Sequence, residues 1–293
     1  MKRFLLAVFL FSVAAAQTPF DYALSVMDLA GKKTVLSAYR DKPLIVLYFS
    51  LDCGKCKQAV TEAQVFHKNN PTIPLIGVLT GSNKEADFRG RKPGSFGFPA
   101  YYDKYRSFRD QYRLEQVPTT FFIARSGKIL QQKEKYFEGN YGDVLSVYGA
   151  VLAGRDTTFV RGMQDRYYSA EVCQACHTKI YEHWKGTAHA SAYDPIAKKF
   201  FSRGYRDGFA AEVDPACLKC HTLGFGETGG YDETRHPKHL LGVQCESCHT
   251  AAGPHGGEKG TDYESRCLRC HDSKQDPLFR YPEKLKKIKH PQG

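Results

Sequence analysis

Four pentapeptides in the second half of the chain share the pattern CxxCH, at residues 173–177, 217–221, 245–249 and 267–271. Two cysteines three positions apart can form thioethers with the vinyl groups of one porphyrin, and the next histidine can bind its iron from one face. Paired CxxC motifs also build zinc sites or disulfide frameworks. Because a histidine follows each pair at once, the pattern favours four covalent c-type haems. The predicted attachment residues are Cys173, Cys176, Cys217, Cys220, Cys245, Cys248, Cys267 and Cys270, and the predicted proximal iron ligands are His177, His221, His249 and His271.

A further cysteine pair, Cys53 and Cys56, lies in the first half of the chain. The apolar run 43–49 predicts a buried strand before it, and a helical pattern follows to about residue 67. Free amide groups and the dipole at a helix N-terminus favour a thiolate, and Lys55 adds a positive charge nearby. We therefore expect Cys53 to attack a disulfide and Cys56 to resolve the mixed disulfide. A structural disulfide or a metal clip is the alternative.

The first 16 residues have the composition of a secretory signal peptide. Lys2 and Arg3 precede an apolar run from residue 4 to residue 13, and alanines stand at positions 14 and 16. The run is too short to span a bilayer, so we expect cleavage rather than an uncleaved membrane anchor. No later stretch is apolar enough to cross a membrane. A periplasmic location agrees with c-type haem, which bacteria attach outside the cytoplasmic membrane.

The formal net charge of +11 is typical of a nucleic-acid-binding protein. Lys2 and Arg3 leave with the predicted signal peptide, and each haem would add propionates that its iron offsets in part. The holoprotein is then near neutral or mildly basic, so we expect no nucleic-acid partner. Such a surface suits an acidic redox partner protein instead.

Residues 17–154 predict one α/β domain. Strands are expected at 43–49, 75–79, 99–102, 119–124 and 128–135, and helices after the cysteine pair, at 107–114 and at 141–153. A parallel strand pair with helical crossovers, followed by an antiparallel hairpin, is the element order of a thioredoxin fold.

The strand, the CxxC, the helix and the later stretch VPTTFFI at 117–123 resemble the exported TlpA-like and ResA-like thioredoxins of the AhpC/TSA superfamily. The resemblance implies a cis peptide bond before Pro118, which would lie against the cysteine pair and shape the substrate groove. Two positions depart from the family: Asp52 replaces an aromatic residue and Ala59 replaces a glutamate. A carboxylate at position 52 would oppose thiolate formation.

Residues 155–168 carry charges without clear periodicity and are predicted to form a linker, with an extension of the preceding helix as the alternative. Residues 169–293 hold the four CxxCH motifs, many glycines and prolines, and few candidate helices. Such a sequence buries little apolar surface of its own, so we expect a mainly α, loop-rich multihaem cytochrome domain whose haems form the core. Neighbouring haems should then lie close to contact.

Distal iron ligands must come from histidines outside the motifs. This region resembles the cytochrome c554 family in the first motif with Thr187-Ala188-His189-Ala190 after it, in the run 242–249 with His255 soon after it, and in the late Ile288-Lys289-His290. The resemblance implies His189, His255 and His290 as distal ligands and one five-coordinate haem, placed here on the second motif. His239 is a weaker fourth candidate for a distal ligand. If it bound the haem of the second motif, no five-coordinate haem would remain. His183 and His236 are expected to be surface residues.

The leading functional hypothesis is an exported tetrahaem electron-transfer protein whose thioredoxin-like domain exchanges electrons between the haems and a dithiol. A quinol- or cytochrome-linked donor and a thiol or disulfide protein would be its partners. Alternatives are a reductase that keeps apocytochrome CxxCH thiols reduced and a haem-based reductase of small nitrogen compounds. A peroxiredoxin-like peroxidase is a minor one, because Ser50 fits its hydroxyl position whereas Val46 replaces its proline.

Overall fold

A computed structural model describes residues 19–81, 84–136, 139–155, 163, 166–201, 213–253, 255 and 262–291. The predicted signal peptide, residues 1–16, and most of the predicted linker, residues 155–168, lie outside these ranges. Among the described residues, no helix has the length and apolar character needed to span a membrane.

The N-terminal part is built on a seven-stranded sheet with the order β2-β1-β5-β4-β3-β6-β7. Its centre, β3 to β5, is parallel, and β6 and β7 add an antiparallel hairpin beside β3. This arrangement confirms the predicted thioredoxin-like fold. The strands are β1 Ser25–Met27, β2 Lys33–Val35, β3 Leu44–Ser50, β4 Leu75–Thr80, β5 Ala100–Tyr102, β6 Thr119–Ile123 and β7 Ile129–Glu134.

Two apolar clusters cover the two faces of this sheet. Because side chains alternate along a strand, β3 sends Ile45, Leu47 and Phe49 into one cluster and Leu44, Val46 and Tyr48 into the other. The first cluster lies under α1 and α4 and includes the buried Cys56. The helices of this part are α1 Gly54–Asn69, α2 Glu85–Arg89, α3 Ser107–Tyr112 and α4 Tyr141–Leu152.

The C-terminal part consists of short helices joined by loops, which confirms the predicted fold class. The helices are α5 Ala170–Cys173, α6 Thr178–Lys185, α7 Asp194–Phe201, α8 Pro215–His221, α9 Cys245–His249, α10 Tyr263–Leu268 and α11 Tyr281–Ile288. Besides the haems that are predicted to form its core, this part contains a small apolar cluster built from protein side chains. That cluster contains Tyr193, Ile196, Leu218, Leu223, Tyr231 and Leu240.

The two parts share buried contacts. Tyr168 and Val172 pack into the apolar cluster under α1 and α4. The Asn140 side-chain amide, at the start of α4, donates a buried hydrogen bond of 2.7 Å to the Ser169 hydroxyl. The first CxxCH motif therefore begins on the surface of the thioredoxin-like part.

Candidate redox sites

The cysteine pair stands where β3 ends and α1 begins. Cys53 is the N-cap of α1, and its Sγ accepts a hydrogen bond of 3.1 Å from the Cys56 backbone amide. Cys53 is partly exposed, whereas the Cys56 side chain is fully buried. Burial, together with a hydrogen bond to Cys53, raises the pKa of the Cys56 thiol to about 12. The geometry therefore offers one accessible thiol and one protected, protonated thiol.

Pro118 lies beside the pair with a cis peptide bond, as the family resemblance implied. The Sγ of Cys53 is 3.8 Å from the carbonyl oxygen of Val117, the residue before this proline. The start of β6 thus forms one wall next to the partly exposed thiol.

The carboxylate of Asp52 is paired rather than left free beside Cys53. Lys84 Nζ lies 2.9 Å from Asp52 and 3.4 Å from Asp87, and both carboxylates raise the pKa of Lys84. The lysine offsets the negative charge that the sequence placed next to the thiol.

Glu62 is a polar residue near the pair that sequence reasoning missed. It lies two turns along α1 from Cys56, and its carboxylate accepts hydrogen bonds from the Tyr136 hydroxyl and, at 2.5 Å, from the Gly142 amide. These bonds tie α1 to the first turn of α4. The sequence shows only that a glutamate lies in the predicted helix. It does not show the role of this glutamate, because the two hydrogen-bond donors lie 74 and 80 positions further along the chain.

Six histidines of the C-terminal part meet in three pairs. The ring centres lie 5.9 Å apart for His177 and His255, 6.1 Å for His189 and His271, and 5.9 Å for His249 and His290. Each pair joins a predicted proximal ligand to a predicted distal ligand from another segment. Within the described ranges no group of three or more His, Cys, Asp or Glu side chains converges.

The pair spacing fits an iron between two imidazoles. With metal–nitrogen bonds of about 2.0–2.1 Å, two imidazoles that held one metal ion between them would have ring centres about 6 Å apart. Burial lowers the pKa of His177, His189 and His249, which favours the neutral ring that a metal requires.

The second ring nitrogen of several of these histidines is held by a polar partner. The Nδ1 of His271 lies 2.9 Å from the Asp276 carboxylate, that of His249 lies 3.2 Å from the Tyr263 hydroxyl, and that of His290 lies 3.1 Å from the Pro291 carbonyl. The Nδ1 atoms of His221 and His255 contact the carbonyls of Ala192 and Ala252. Such contacts fix the orientation of a ring and leave its Nε2 as the nitrogen that would hold a metal.

Two cavities lie between these histidines. One of about 320 Å³ is lined by the first and third motifs and by Val147 of α4. The other, of about 730 Å³, is lined by the second and fourth motifs. Both volumes fall in the range of cofactor pockets. The thiols of Cys173 and Cys245 contact each other, as do those of Cys220 and Cys270, so the attachment points of motifs sharing a cavity are adjacent.

Residues 242–244, just before the third motif, connect several backbone segments near these cavities. The Gln244 side chain accepts from the Ala170 amide at 2.6 Å and donates to the carbonyls of His239 and Leu241. Gly242 has φ of +86°, and a Cβ there would come within 2.9 Å of the Ala190 carbonyl oxygen. This position therefore requires glycine.

Glu246 is a second polar residue that sequence reasoning missed. It is 3% exposed, lies inside the third motif, and lines both cavities. Its carboxylate accepts hydrogen bonds from the amides of Tyr168, at 2.6 Å, and Ala252. Burial raises its pKa to about 7.

The remaining histidines lie elsewhere. His183 is exposed, and the His236 ring lies 3.2 Å from the Tyr231 hydroxyl. His239 lies against Gly139 of the thioredoxin-like part, where an added Cβ would meet its Cε1 at 3.0 Å. In the described part of the chain, the histidine pairs do not include His221.

Fold and sites together define a redox protein with a thioredoxin-like domain and a c-type cytochrome domain. Residues 14–132 match the AhpC/TSA family, and residues 172–250 match the family of cytochrome c554 and c-prime. Each match covers less than half of the chain, and the two follow its division into a thioredoxin-like part and a part with CxxCH motifs; the second family implies covalently bound c-type haem.

Individual proteins show the same division. The chain is 30% identical over 131 residues to cytochrome c-554 of Nitrosomonas europaea, covering 34% of this chain and 54% of the cytochrome. It is 27% identical over 106 residues to the thiol-disulfide oxidoreductase ResA of Bacillus subtilis, covering 36% and 59%. The chain thus spans less than two thirds of either relative. A secreted disulfide oxidoreductase of Mycobacterium tuberculosis aligns with a TM-score of 0.39 and 16% identity, over 45% of this chain and 97% of that one.

Proposed function

We propose that this protein is an exported, periplasmic tetrahaem cytochrome that exchanges electrons between its haems and the Cys53–Cys56 pair. When bound, each haem would supply one-electron redox chemistry. Oxidation of the two thiols releases two electrons and two protons, and two ferric haems would accept one electron each. The reverse direction would reduce a disulfide with two ferrous haems. Its partners would be a redox protein, such as a quinol- or cytochrome-linked donor, and a thiol or disulfide protein.

The observation that carries this proposal is that helix α4 lies between the Cys53–Cys56 pair and the cavity of the first CxxCH motif. Val147 of α4 lines the cavity of the first motif, and the same helix packs in one apolar cluster with Cys56. Tyr141 and Tyr148, two turns apart on α4, belong to this cluster, and Tyr148 stacks on Phe122 at 4.1 Å. The buried thiol and the first haem would therefore be separated only by packed side chains.

A stopped-flow experiment with ferrous holoprotein tests the coupling. Mixed anaerobically with insulin, the wild type should lose its ferrous absorbance, with about two haems oxidised per insulin disulfide reduced. Cys53→Ser should keep its haem spectrum and its reduction by dithionite but lose this reoxidation. Ser146→Ala, an exposed change on α4, is the control. Reoxidation of the Cys53 variant at the wild-type rate would contradict the proposal, and so would a wild type that stays ferrous.

A second candidate function, reduction of a small nitrogen compound, is favoured by one observation. Among the described residues the three histidine pairs leave out His221. A haem on Cys217 and Cys220 would then keep an open position. Electron paramagnetic resonance should give a high-spin ferric signal that nitric oxide removes. Four low-spin haems without a response to nitric oxide would exclude this candidate and point to His239 as the fourth distal ligand.

A further inference from the structure

The fourth CxxCH motif differs from the other three in the exposure of the first residue between its two cysteines. The first residue between the two cysteines is 2% exposed in the first motif (Gln174), 2% in the second (Leu218) and 3% in the third (Glu246). Its counterpart in the fourth, Leu268, is 48% exposed, and the nearby Leu278 is 84% exposed. The fourth motif therefore presents an apolar side chain to solvent between Cys267 and Cys270, the cysteines that would attach its haem.

Hydrogen bonds through one carboxylate connect helix α11 to the fourth motif. Asp276 accepts from His271 Nδ1 at 2.9 Å and from Lys284 Nζ at 3.3 Å, so one carboxylate joins the fourth proximal histidine to α11. At the far end of the helix, His290 faces His249 of the third motif. Helix α11 thus runs from the fourth predicted haem site to the third.

The solvent side of α11 is strongly basic. Residues 281–291 contain four lysines and one glutamate, and that glutamate pairs with Arg280 at 3.7 Å. Lys286, Lys287 and Lys289 are exposed and have no ion pair within the described residues. Their charge is therefore available to a partner.

We propose that Leu268, Leu278, Lys286, Lys287 and Lys289 form a docking surface for an acidic electron-transfer protein. Exposed apolar side chains on the same face as unpaired positive charges suit a transient redox encounter, since the charges steer the partner and the apolar contact excludes water. One electron would pass between the partner's redox centre and the haem on Cys267 and Cys270. The proposal rests on the proposed haem content and goes beyond it in assigning the entry point.

The test measures reduction of the ferric holoprotein by flavodoxin hydroquinone, an acidic one-electron donor, at low ionic strength. The second-order rate constant should fall about tenfold or more in Lys286→Glu/Lys287→Glu and should decrease with salt in the wild type. Leu278→Asp, which replaces an apolar side chain and leaves every lysine in place, should also lower this rate constant. The matched control, Lys32→Glu/Lys68→Glu, changes the net charge equally on exposed lysines of the thioredoxin-like domain and should stay within about twofold of wild type.

Equal losses in the two double variants, or a rate that does not fall with salt, would overturn the docking surface. Binding to phosphatidylglycerol vesicles that depends on Lys286 and Lys287, with unchanged flavodoxin rates, would assign the surface to a membrane instead. The uncharged deazariboflavin semiquinone should reduce every variant equally, which checks that the haems are intact. A haem assay separates the two proposals: fewer than four haems contradicts the proposed function, while a full complement with no effect overturns docking alone.

Discussion

Burial gives the two thiols of the N-terminal pair different reactivity. Cys53 is partly exposed at the N-cap of α1, and Cys56 is fully buried with its pKa raised to about 12. A thiol with so high a pKa stays protonated until a mixed disulfide forms next to it.

We therefore expect iodoacetamide to alkylate reduced Cys53 at least about tenfold faster than Cys56 at pH 8, since burial both raises the pKa of the Cys56 thiol and limits reagent access to it. Peptide mass spectrometry of partly alkylated protein measures the two rates. Cys56→Ser should preserve the reactivity of Cys53 and trap mixed disulfides with a thiol partner. Faster alkylation of Cys56 would reverse the assigned roles.

Glu246 allows a second residue-level prediction. Its carboxylate accepts from two backbone amides, those of Tyr168 and Ala252, in a site that is 3% exposed. Glu246→Ala leaves both donors without this acceptor, at a cost of about 1–3 kcal/mol each in the free energy of unfolding. Glu246→Gln keeps an acceptor oxygen and should lose less. Denaturant unfolding followed at the Soret band measures both variants, and Glu233→Ala, at an exposed glutamate of the same part of the chain, is the control.

The sequence predicts the attachment cysteines and proximal histidines because one pentapeptide carries the whole chemical requirement. The distal histidines were predicted only through a family resemblance, and their partners could not be predicted at all. His189, for example, faces His271, which is 82 positions away and belongs to the fourth motif rather than to the first. Such pairing depends on how loops fold around the cavities, and no local pattern encodes it.

At the scale of elements, β7 and α6 make a contact between the two parts of the molecule. Lys133 Nζ lies 5.3 Å from the centre of the Tyr181 ring. Burial lowers the pKa of Lys133 to about 8, Glu171 and Glu182 oppose this shift, and Lys185 adds to it. Keeping the ammonium group of Lys133 charged in this buried contact therefore costs free energy.

The lowered pKa of Lys133 determines whether the free energy of unfolding rises or falls with pH. A lysine titrates near 10.4 in the unfolded chain, so between pH 8 and pH 10 the unfolded state binds more protons than the folded state. Stability of the wild type should rise with pH over this window relative to Lys133→Met, which retains the packing on Tyr181 but cannot titrate. Urea midpoints of the two proteins at pH 8 and pH 10 measure the difference. A constant difference would mean that Lys133 keeps an ordinary pKa.

The long elements were all predicted, whereas of the short ones only some were, such as β5, which was expected at 99–102. The strands at 44–50 and 75–80 and the helix at 54–69 have enough residues for an apolar pattern to emerge. Strands β1 and β2 have three residues each and α2 has five, so no period is completed and the sequence analysis missed all three. Their places are set by pairing with neighbours, such as Met27 with Tyr102.

At the scale of the molecule, the predicted haem sites form a route between two ends. Val172, directly before the first motif, packs with α4 of the thioredoxin-like domain, and Val147 of α4 lines the cavity of that motif, whereas the fourth motif has an exposed Leu268. Between them, the first and third motifs share one cavity, the second and fourth share the other, and Glu246 lines both. An electron entering at the surface would thus reach the dithiol last.

Electron counting tests this order in the intact molecule. The oxidised wild type should accept about six electrons in a coulometric titration, four for the haems and two for the disulfide, whereas Cys53→Ser should accept about four. Haem absorbance should saturate at the same value in both proteins, so the difference must appear as two thiols in the wild type, counted with a maleimide label. If the wild type takes only four electrons, the disulfide is not in equilibrium with the haems. If both proteins take six, an acceptor other than the Cys53–Cys56 pair is present.

Uptake of six electrons through flavodoxin, slowed in Lys286→Glu/Lys287→Glu to the same degree for haems and thiols, would place the C-terminal surface and the cysteine pair at opposite ends of one electron path.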